Sequence, residues 1–306
     1  MAEQLSDLAA SFRRHLRAEG KSEATCRVYQ QALTDYSRWL VGRGQSTTLA
    51  QFTRADIVQW LADGAERWAP GTARTRWKGL HRFGSWLVAE GELDGHPMAG
   101  LEVPTVPAKP VPVLSDDDLT ALVKACRPPK DNSGAKRSPF YYRRDEAVIR
   151  LMLDCGIRVA ELCGLQVKDV DLDREIGFVT GKGSKTRPVY FSSRTARALD
   201  RYLRERRKHR WAHEDALFLG ERGPLTTDGA RELVRLRAEQ AGIGHVNPHR
   251  FRHTFAHDFL VSGGQERDLK RLAGWSSDAM LERYGASAAD LRAEQGARRL
   301  RRGDRV

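Results

Sequence analysis

Apolar residues in the first part of the chain recur at three- and four-residue intervals, the period of helices with one buried face. Leu5, Leu8, Ala9, Phe12 and Leu16 form one stripe, with Arg13, Arg14 and Arg17 off it and Gly20 as its stop. A second helix opens near Ser22 and is expected to bury Val28, Tyr29, Ala32, Leu33, Tyr36, Trp39 and Leu40 before Gly42. A third starts at Thr53, whose hydroxyl can cap it with Asp56 at the capping-box position, and continues through Ile57, Trp60 and Leu61. The fourth, from about Gly71 to Ala89, carries Trp77, Leu80, Phe83, Trp86 and Leu87 on one side and Arg74, Arg76, Lys78, His81 and Arg82 on much of the rest. Residues 1–95 therefore read as a four-helix, all-α module. Pro97, Pro104, Pro107, Pro110 and Pro112 then favour extended chain, so 96–114 reads as a linker.

The pattern changes after Ser115-Asp116-Asp117-Asp118, a helix N-cap with acids in its first turn. A polar loop, Pro128 to Ser138, precedes a helix over Arg144–Cys155 that Gly156 ends. Short strands are expected at Val167–Leu172, Ile176–Thr180 and Arg187–Phe191, the last two joined through Gly181-Lys182-Gly183-Ser184-Lys185. Helices resume at Thr195–Arg206 and Thr227–Ala241, and Arg292, Arg298, Arg299, Arg301, Arg302 and Arg305 make a basic tail.

A length of 306 residues suits two domains. With 52 Lys and Arg against 40 Asp and Glu, the net charge of +12 biases the partner toward a polyanion, although charge alone also suits a merely dispersed protein. Cys26, Cys126, Cys155 and Cys163 form no C-x-x-C pair and read as reduced core thiols. The N-terminus lacks the apolar run of a leader and no stretch is long enough to span a membrane, so a cytoplasmic protein is expected.

Candidate chemistry gathers near the C-terminus. Pro248 can open a helix without loss, since its missing N–H has no partner there, and His249 and Arg252 then lie three apart on one face. A cationic donor beside a proton-transfer group suits a phosphoryl transition state, with charge on non-bridging oxygens and one oxygen gaining or losing a proton. Tyr284 follows, beside Arg283; Arg158 sits at a helix start, where free N–H groups favour anions; Lys182 is a mobile ammonium between two glycines. Singly, each has a plain structural reading. His245, His249, His253 and His257 recur every fourth residue, as on zinc-binding helices, but Pro248 interrupts them and no Glu lies between; no metal is expected.

Taken in order, Arg158 in Gly-Ile-Arg-Val-Ala-Glu-Leu, Lys182 in Gly-Lys-Gly-Ser-Lys-Thr-Arg, His249 and Arg252 in His-Arg-Phe-Arg-His-Thr-Phe-Ala, Trp275 in Leu-Ala-Gly-Trp and Tyr284 nine residues on resemble the tyrosine recombinase (phage integrase) family, over nearly the whole chain. The resemblance implies a fold that is mainly α with a small β-sheet: an N-terminal four-helix, SAM-like core-binding domain and a mixed α/β catalytic domain over 115–306 with its tail. It implies DNA strand exchange without metal or cofactor. Tyr284 would attack a phosphodiester and leave a 3′-phosphotyrosyl link and a free 5′-hydroxyl. A phenol with a pKa of about 10 needs local charge and a proton acceptor for this. By resemblance, Arg158 and Arg252 would grip the non-bridging oxygens, His249 would help take the Tyr284 proton, and Lys182 would protonate the leaving oxygen, with Glu161 behind them. Trp275 stands where many members of the family have His, although Cre-like members also carry Trp there; indole can donate a hydrogen bond to phosphate but not transfer a proton.

Arg74, Arg76, Lys78, Arg82, Lys185 and Arg250 are the residues expected to touch DNA. The implied partners are double-stranded DNA with an inverted-repeat core site, three further copies in a homo-tetramer on that DNA (monomer or weak dimer in solution), and a directionality factor. The protein would be nucleoid-associated. Leu291, Ala297 and Leu300 would let the tail dock on a neighbour. Trp275, the Pro128–Ser138 insertion and the Arg-Tyr-Gly-Ala-Ser ending favour a phage or plasmid integrase/excisionase. An Xer-type dimer resolvase is the alternative, followed by a type IB topoisomerase-like nicking-closing enzyme and a non-cleaving DNA-binding protein.

Overall fold

The computed structural model describes residues 3–107, 112–128, 138–181, 185–275, 277–300 and 302–305. The chain divides into two compact units, Met1–Lys109 and Pro110–Val306.

The first unit is a bundle of α1 (Leu5–Ala18), α2 (Glu23–Gly42), α3 (Arg54–Ala65) and α4 (Pro70–Ala89). Side-chain oxygens fix two of the starts: Ser22 Oγ accepts from Thr25 N at 3.3 Å and Thr53 Oγ1 from Asp56 N at 3.1 Å. The apolar stripes meet in an aromatic core, where Phe12 meets Phe83 and Tyr36 meets Trp60 edge-on, each pair at 5.4 Å. Val28 departs from the expected burial and is 41% exposed. At 100° per residue it falls just outside the buried arc of α2, and Cys26 fills that face instead. Past α4 the chain turns at 97–100 and buries Met98 in the same core.

The second unit opens with α5 (Asp116–Ala125), where Ser115 and Asp118 form a complete capping box. Next comes α6 (Pro139–Cys155), the helix on which this unit is built, flanked by the later helices Ser193–Arg206 and Pro248–Val261. It begins ahead of the expected Arg144, because Ser138 caps it, Pro139 takes the first helical position and Phe140 is buried. Buried Asp145 links α6 to a later helix: Oδ1 accepts from Arg144 and Oδ2 from Arg237, at 2.7 and 2.6 Å. After α7 (Val159–Gly164), strands β1 (Val170–Asp171), β2 (Ile176–Thr180) and β3 (Thr186–Tyr190) form an antiparallel sheet in the order β1-β2-β3. The first expected strand is mostly a 3₁₀ turn over Val167–Asp169, leaving two residues to pair. Register Thr180↔Thr186 brings the ends of the β2–β3 hairpin together.

Then follow α8 (Ser193–Arg206), a small hairpin of β4 (Leu219–Gly220) and β5 (Gly223–Pro224), and α9 (Thr227–Ala241). The last helices are α10 (Pro248–Val261), α11 (Glu266–Ala273) and α12 (Ala279–Leu300). The expected tail thus continues the helix that carries Tyr284; Leu300 is 66% exposed, and the Leu291 side chain lies outside the described set. All four cysteines are free, and burial pushes the Cys126 thiol up to about 12. No described helix is long and apolar enough to cross a membrane.

Candidate active site

Three arginines converge on the C-terminal end of α11. The first is Arg252 on α10, a helix whose phase is set by Pro248 and by Asn247 Oδ1, which accepts from His249 N at 2.9 Å and Arg250 N at 3.3 Å. Arg252 is buried; its Nη1 donates to Gly156 O at 2.8 Å and its Nη2 to Ala273 O at 2.6 Å. Burial, and then the neighbouring Arg158, lower its pKa to about 10, so it remains a cation at neutral pH.

The second is Arg158, half-exposed at the start of α7, where the chain has just left α6 through left-handed Gly156. Its Nη2 donates to Gly274 O at 3.2 Å, and Glu161 accepts from its N and Nη1 at 2.9 and 2.8 Å. The third, Arg187 on β3, was not foreseen. It donates from Nη1 and Nη2 to the two oxygens of Glu161 at 2.9 and 3.0 Å and from Nε to Leu272 O at 2.8 Å. Burial pushes the Glu161 carboxyl up, but donors on Arg187 and Arg158 outweigh it and hold the pKa below its usual value.

Three successive carbonyls, 272, 273 and 274, are therefore held by three guanidiniums at the negative end of a helix. Left-handed Gly274 closes α11, and Trp275 follows with its ring stacked on Tyr284 at 5.0 Å and 3°. Arg252 lies 5.4 Å over the same indole. Tyr284 is fully buried, and its hydroxyl is hydrogen-bonded to Nδ1 of His253.

Arg158, Glu161, Arg252, Trp275 and Tyr284 thus meet although three helices and the turn after α11 supply them. His249 lies one turn before His253, with ring centroids 6.5 Å apart, so the imidazole on the phenol is His253 and not the expected His249. Partial burial, followed by Arg252, Arg231 and Arg158, lowers the pKa of His249. Lys182 lies outside the described residues; Gly181 N donates to Lys185 O at 2.9 Å across the same turn.

Of the cations expected on DNA, Arg74, Lys78 and Lys185 are exposed. The other three are engaged within the protein. Arg76 pairs with Asp35 at 2.6 Å and Arg82 with Glu19, because α2 and the end of α1 offer carboxylates beside α4. Arg250 lies about 200° around α10 from Arg252, and its guanidinium holds the carbonyls of Val113 and His245 at 3.0 and 3.1 Å. A signal for Arg187 existed in the sequence: alternation along β3 puts it on the face of Val189, which is buried. His253 was visible as the i+4 neighbour of His249. Among the described residues no three His, Cys, Asp or Glu side chains are grouped to hold a metal ion.

Residues 112–290 match the phage integrase family, and residues 8–91 match the family's N-terminal SAM-like domain. The chain is 32% identical to "Tyrosine recombinase XerC" of Myxococcus xanthus over 288 residues, 92% of this chain and 93% of that one. It is 35% identical to the protein of the same name in Mycobacterium bovis over 287 residues, 90% of this chain and 92% of that one. Among solved structures, XerH site-specific recombinase bound to palindromic difH substrate superposes with a TM-score of 0.73 at 18% identity, covering 92% of this chain and 81% of that one, a likeness of fold.

Proposed function

The chain belongs to the phage integrase family of tyrosine recombinases, DNA strand-transferring enzymes, and from that premise we propose that it is an Xer-type site-specific recombinase whose nucleophile is Tyr284. The observation that carries this reading is the convergence of Arg158 and Arg252 on consecutive carbonyls immediately before Trp275, which stacks on Tyr284. Relatives named XerC match over nine-tenths of their length, which favours the dimer-resolvase reading over the mobile-element integrase.

In the proposed reaction Arg158 and Arg252 bind the non-bridging oxygens of the scissile phosphate, for which a guanidinium fork is suited. The Tyr284 oxygen bonds to phosphorus while the bond to the 5′-oxygen breaks. The phenolic proton passes to a histidine, His249 or His253, and the 5′-oxygen takes a proton from Lys182. Reversal with a partner strand rejoins the DNA at no net bond cost. The two arginines hold Ala273 O and Gly274 O, and Tyr284 is covered. An arriving phosphate competes for those donors, loosens the end of α11 and gives Tyr284 freedom to turn toward it. The partners proposed are a duplex with an inverted-repeat core site and three further copies of the chain. The expected directionality factor is left out, since no observation speaks for it.

The test is capture of detergent-resistant adducts from a pool of nicked random duplexes, in which loss of the short 5′ fragment prevents religation. The wild-type chain should form adducts that cluster on an inverted repeat, and Tyr284→Phe should form none. Adducts spread over unrelated sequences would mean a nicking-closing enzyme instead. Adducts that survive in Tyr284→Phe would move the nucleophile elsewhere.

A further inference from the structure

Apart from this centre, α6 and α8 flank a cavity of about 560 Å³ whose lining includes six arginines: 127, 143, 150, 194, 197 and 201. Arg194, Arg197 and Arg201 share one face of α8, and Arg143 and Arg150 share one face of α6 with Glu146 between them. Glu146 is buried and lies among them. Its Oε1 accepts from Arg150 Nε at 3.0 Å and from Arg201 Nη2, on the facing helix, at 3.3 Å, and its Oε2 is 4.0 Å from Arg143 Nη1. One carboxylate thus organises three guanidiniums. No hydrogen bond or ion pair among the described residues engages the side chains of Arg127, Arg194 or Arg197, and Arg201 Nε is buried without an acceptor among them. Six cations less one anion leave five positive charges facing a concave space, where the field is focused.

We propose that this groove is a second phosphodiester-binding site, which grips the backbone of duplex DNA outside the strand-exchange centre. The assignment rests on the reading of the chain as a recombinase. Three features favour a nucleic acid over an acidic protein segment. The cations are all arginine, whose planar fork pairs with phosphate oxygens two at a time. Apart from Pro128 the lining offers no apolar residue, so a peptide side chain would have nothing to be buried against. From Arg194 to Arg201 is about 10.5 Å along the helix, long enough to reach more than one phosphate of a strand. The groove begins about 9 Å along α6 from Gly156, whose carbonyl Arg252 holds, well inside one duplex turn of about 34 Å.

The experiment uses the full chain and the duplex recovered by adduct capture, prepared as the core alone and with about one helical turn added on each side. Affinity is measured against salt for the wild type, for Arg194→Ala/Arg197→Ala and for the double lysine variant. Both positions are exposed and unpaired among the described residues, so the fold should hold, which a urea midpoint checks. The plot of log K against log salt for the extended duplex should be shallower by roughly two in the alanine variant, at about 0.9 per phosphate. The lysine variant should keep the slope and lose part of the affinity. Equal slopes for wild type and alanine variant on both duplexes would overturn the groove. So would an alanine variant with the wild-type DNA slope but weakened binding to polyglutamate, an outcome assigning the groove to an acidic protein. In the same preparations the wild type must form its Tyr284-dependent adduct: its absence would sink the recombinase reading, whereas an adduct with unaltered slopes sinks the groove alone.

Discussion

Two histidines a turn apart on α10 are the proposed acceptors of the Tyr284 proton, and the choice between them is open to measurement. A group that receives the phenolic proton must be neutral beforehand. His249 is kept neutral by partial burial and by Arg252, Arg231 and Arg158, which together hold its pKa below the ordinary 6.5. Single-turnover adduct formation on a nicked duplex should therefore stay level down to about pH 6.5 and fall only beneath it. An acid limb centred above about 6.5 would remove His249 from the role and leave His253, which touches the phenol. Arg187 makes a second prediction. Breaking a buried ion pair costs about 3–5 kcal/mol, and because Arg158 still holds Glu161, Arg187→Ala should fall near about 3 kcal/mol by urea unfolding. Glu161 has a depressed pKa, so this contribution is present above about pH 4.5 and lost as pH falls through the folded-state value. The adduct rate should drop more than tenfold, since Arg158 loses its brace; a rate within about twofold of wild type would reduce Arg187 to scaffolding. The residues legible from sequence were those with a motif around them. Arg187 and His253 act through partners far along the chain, Leu272 and Tyr284, and no local spacing reveals such pairs.

Among the elements, the junction of α6 and α7 carries the site. Gly156 has φ 55°, and a Cβ on it would lie 2.4 Å from Cδ1 of Phe255. Gly156→Ala combines a left-handed backbone with overpacking, about 1–2 and 1–3 kcal/mol respectively. A loss of about 2–5 kcal/mol in urea is expected, together with slower adduct formation, because Gly156 O is the acceptor for Arg252. A loss below about 1 kcal/mol would mean that α10 simply moves aside. Elements with a long apolar period were legible, including α1 to α4, α8 and α9, while α10 was marked by Pro248 at its start. Short ones were not: α11 has eight residues and the β4–β5 strands two each, too few for a period to register. The early start of α6 was hidden by Pro139-Phe140-Tyr141-Tyr142, where a helix-opening proline follows a polar loop and reads as more loop.

For the molecule as a whole, the division into two units and the small sheet could be read in advance, because a proline-rich stretch separates an all-helical pattern from a mixed one. The use of the positive charge could not. A net charge of +12 says that a polyanion is favoured but not which cations face it, since that depends on which carboxylates fold beside them. Arg74 and Arg76 are the clearest contrast. Both belong to the basic set of α4, but Arg74 is exposed while Arg76, about 200° around the helix, is paired with Asp35. The exposed cations Arg74, Lys78, Lys185, Arg194 and Arg197, together with half-exposed Arg158, would release counterions from six phosphates, for a slope of log K against log salt of about −5. Arg74→Ala with Lys78→Ala should lower that slope by roughly two. Arg76→Ala should leave the slope unchanged and cost only about 0.2–1 kcal/mol of stability, as ion pairs near a surface do. If instead Arg76→Ala flattened the slope as much as Arg74→Ala, the pair with Asp35 would have to open on DNA, and the phosphate-facing surface of α4 would be the full basic stripe that its sequence presents.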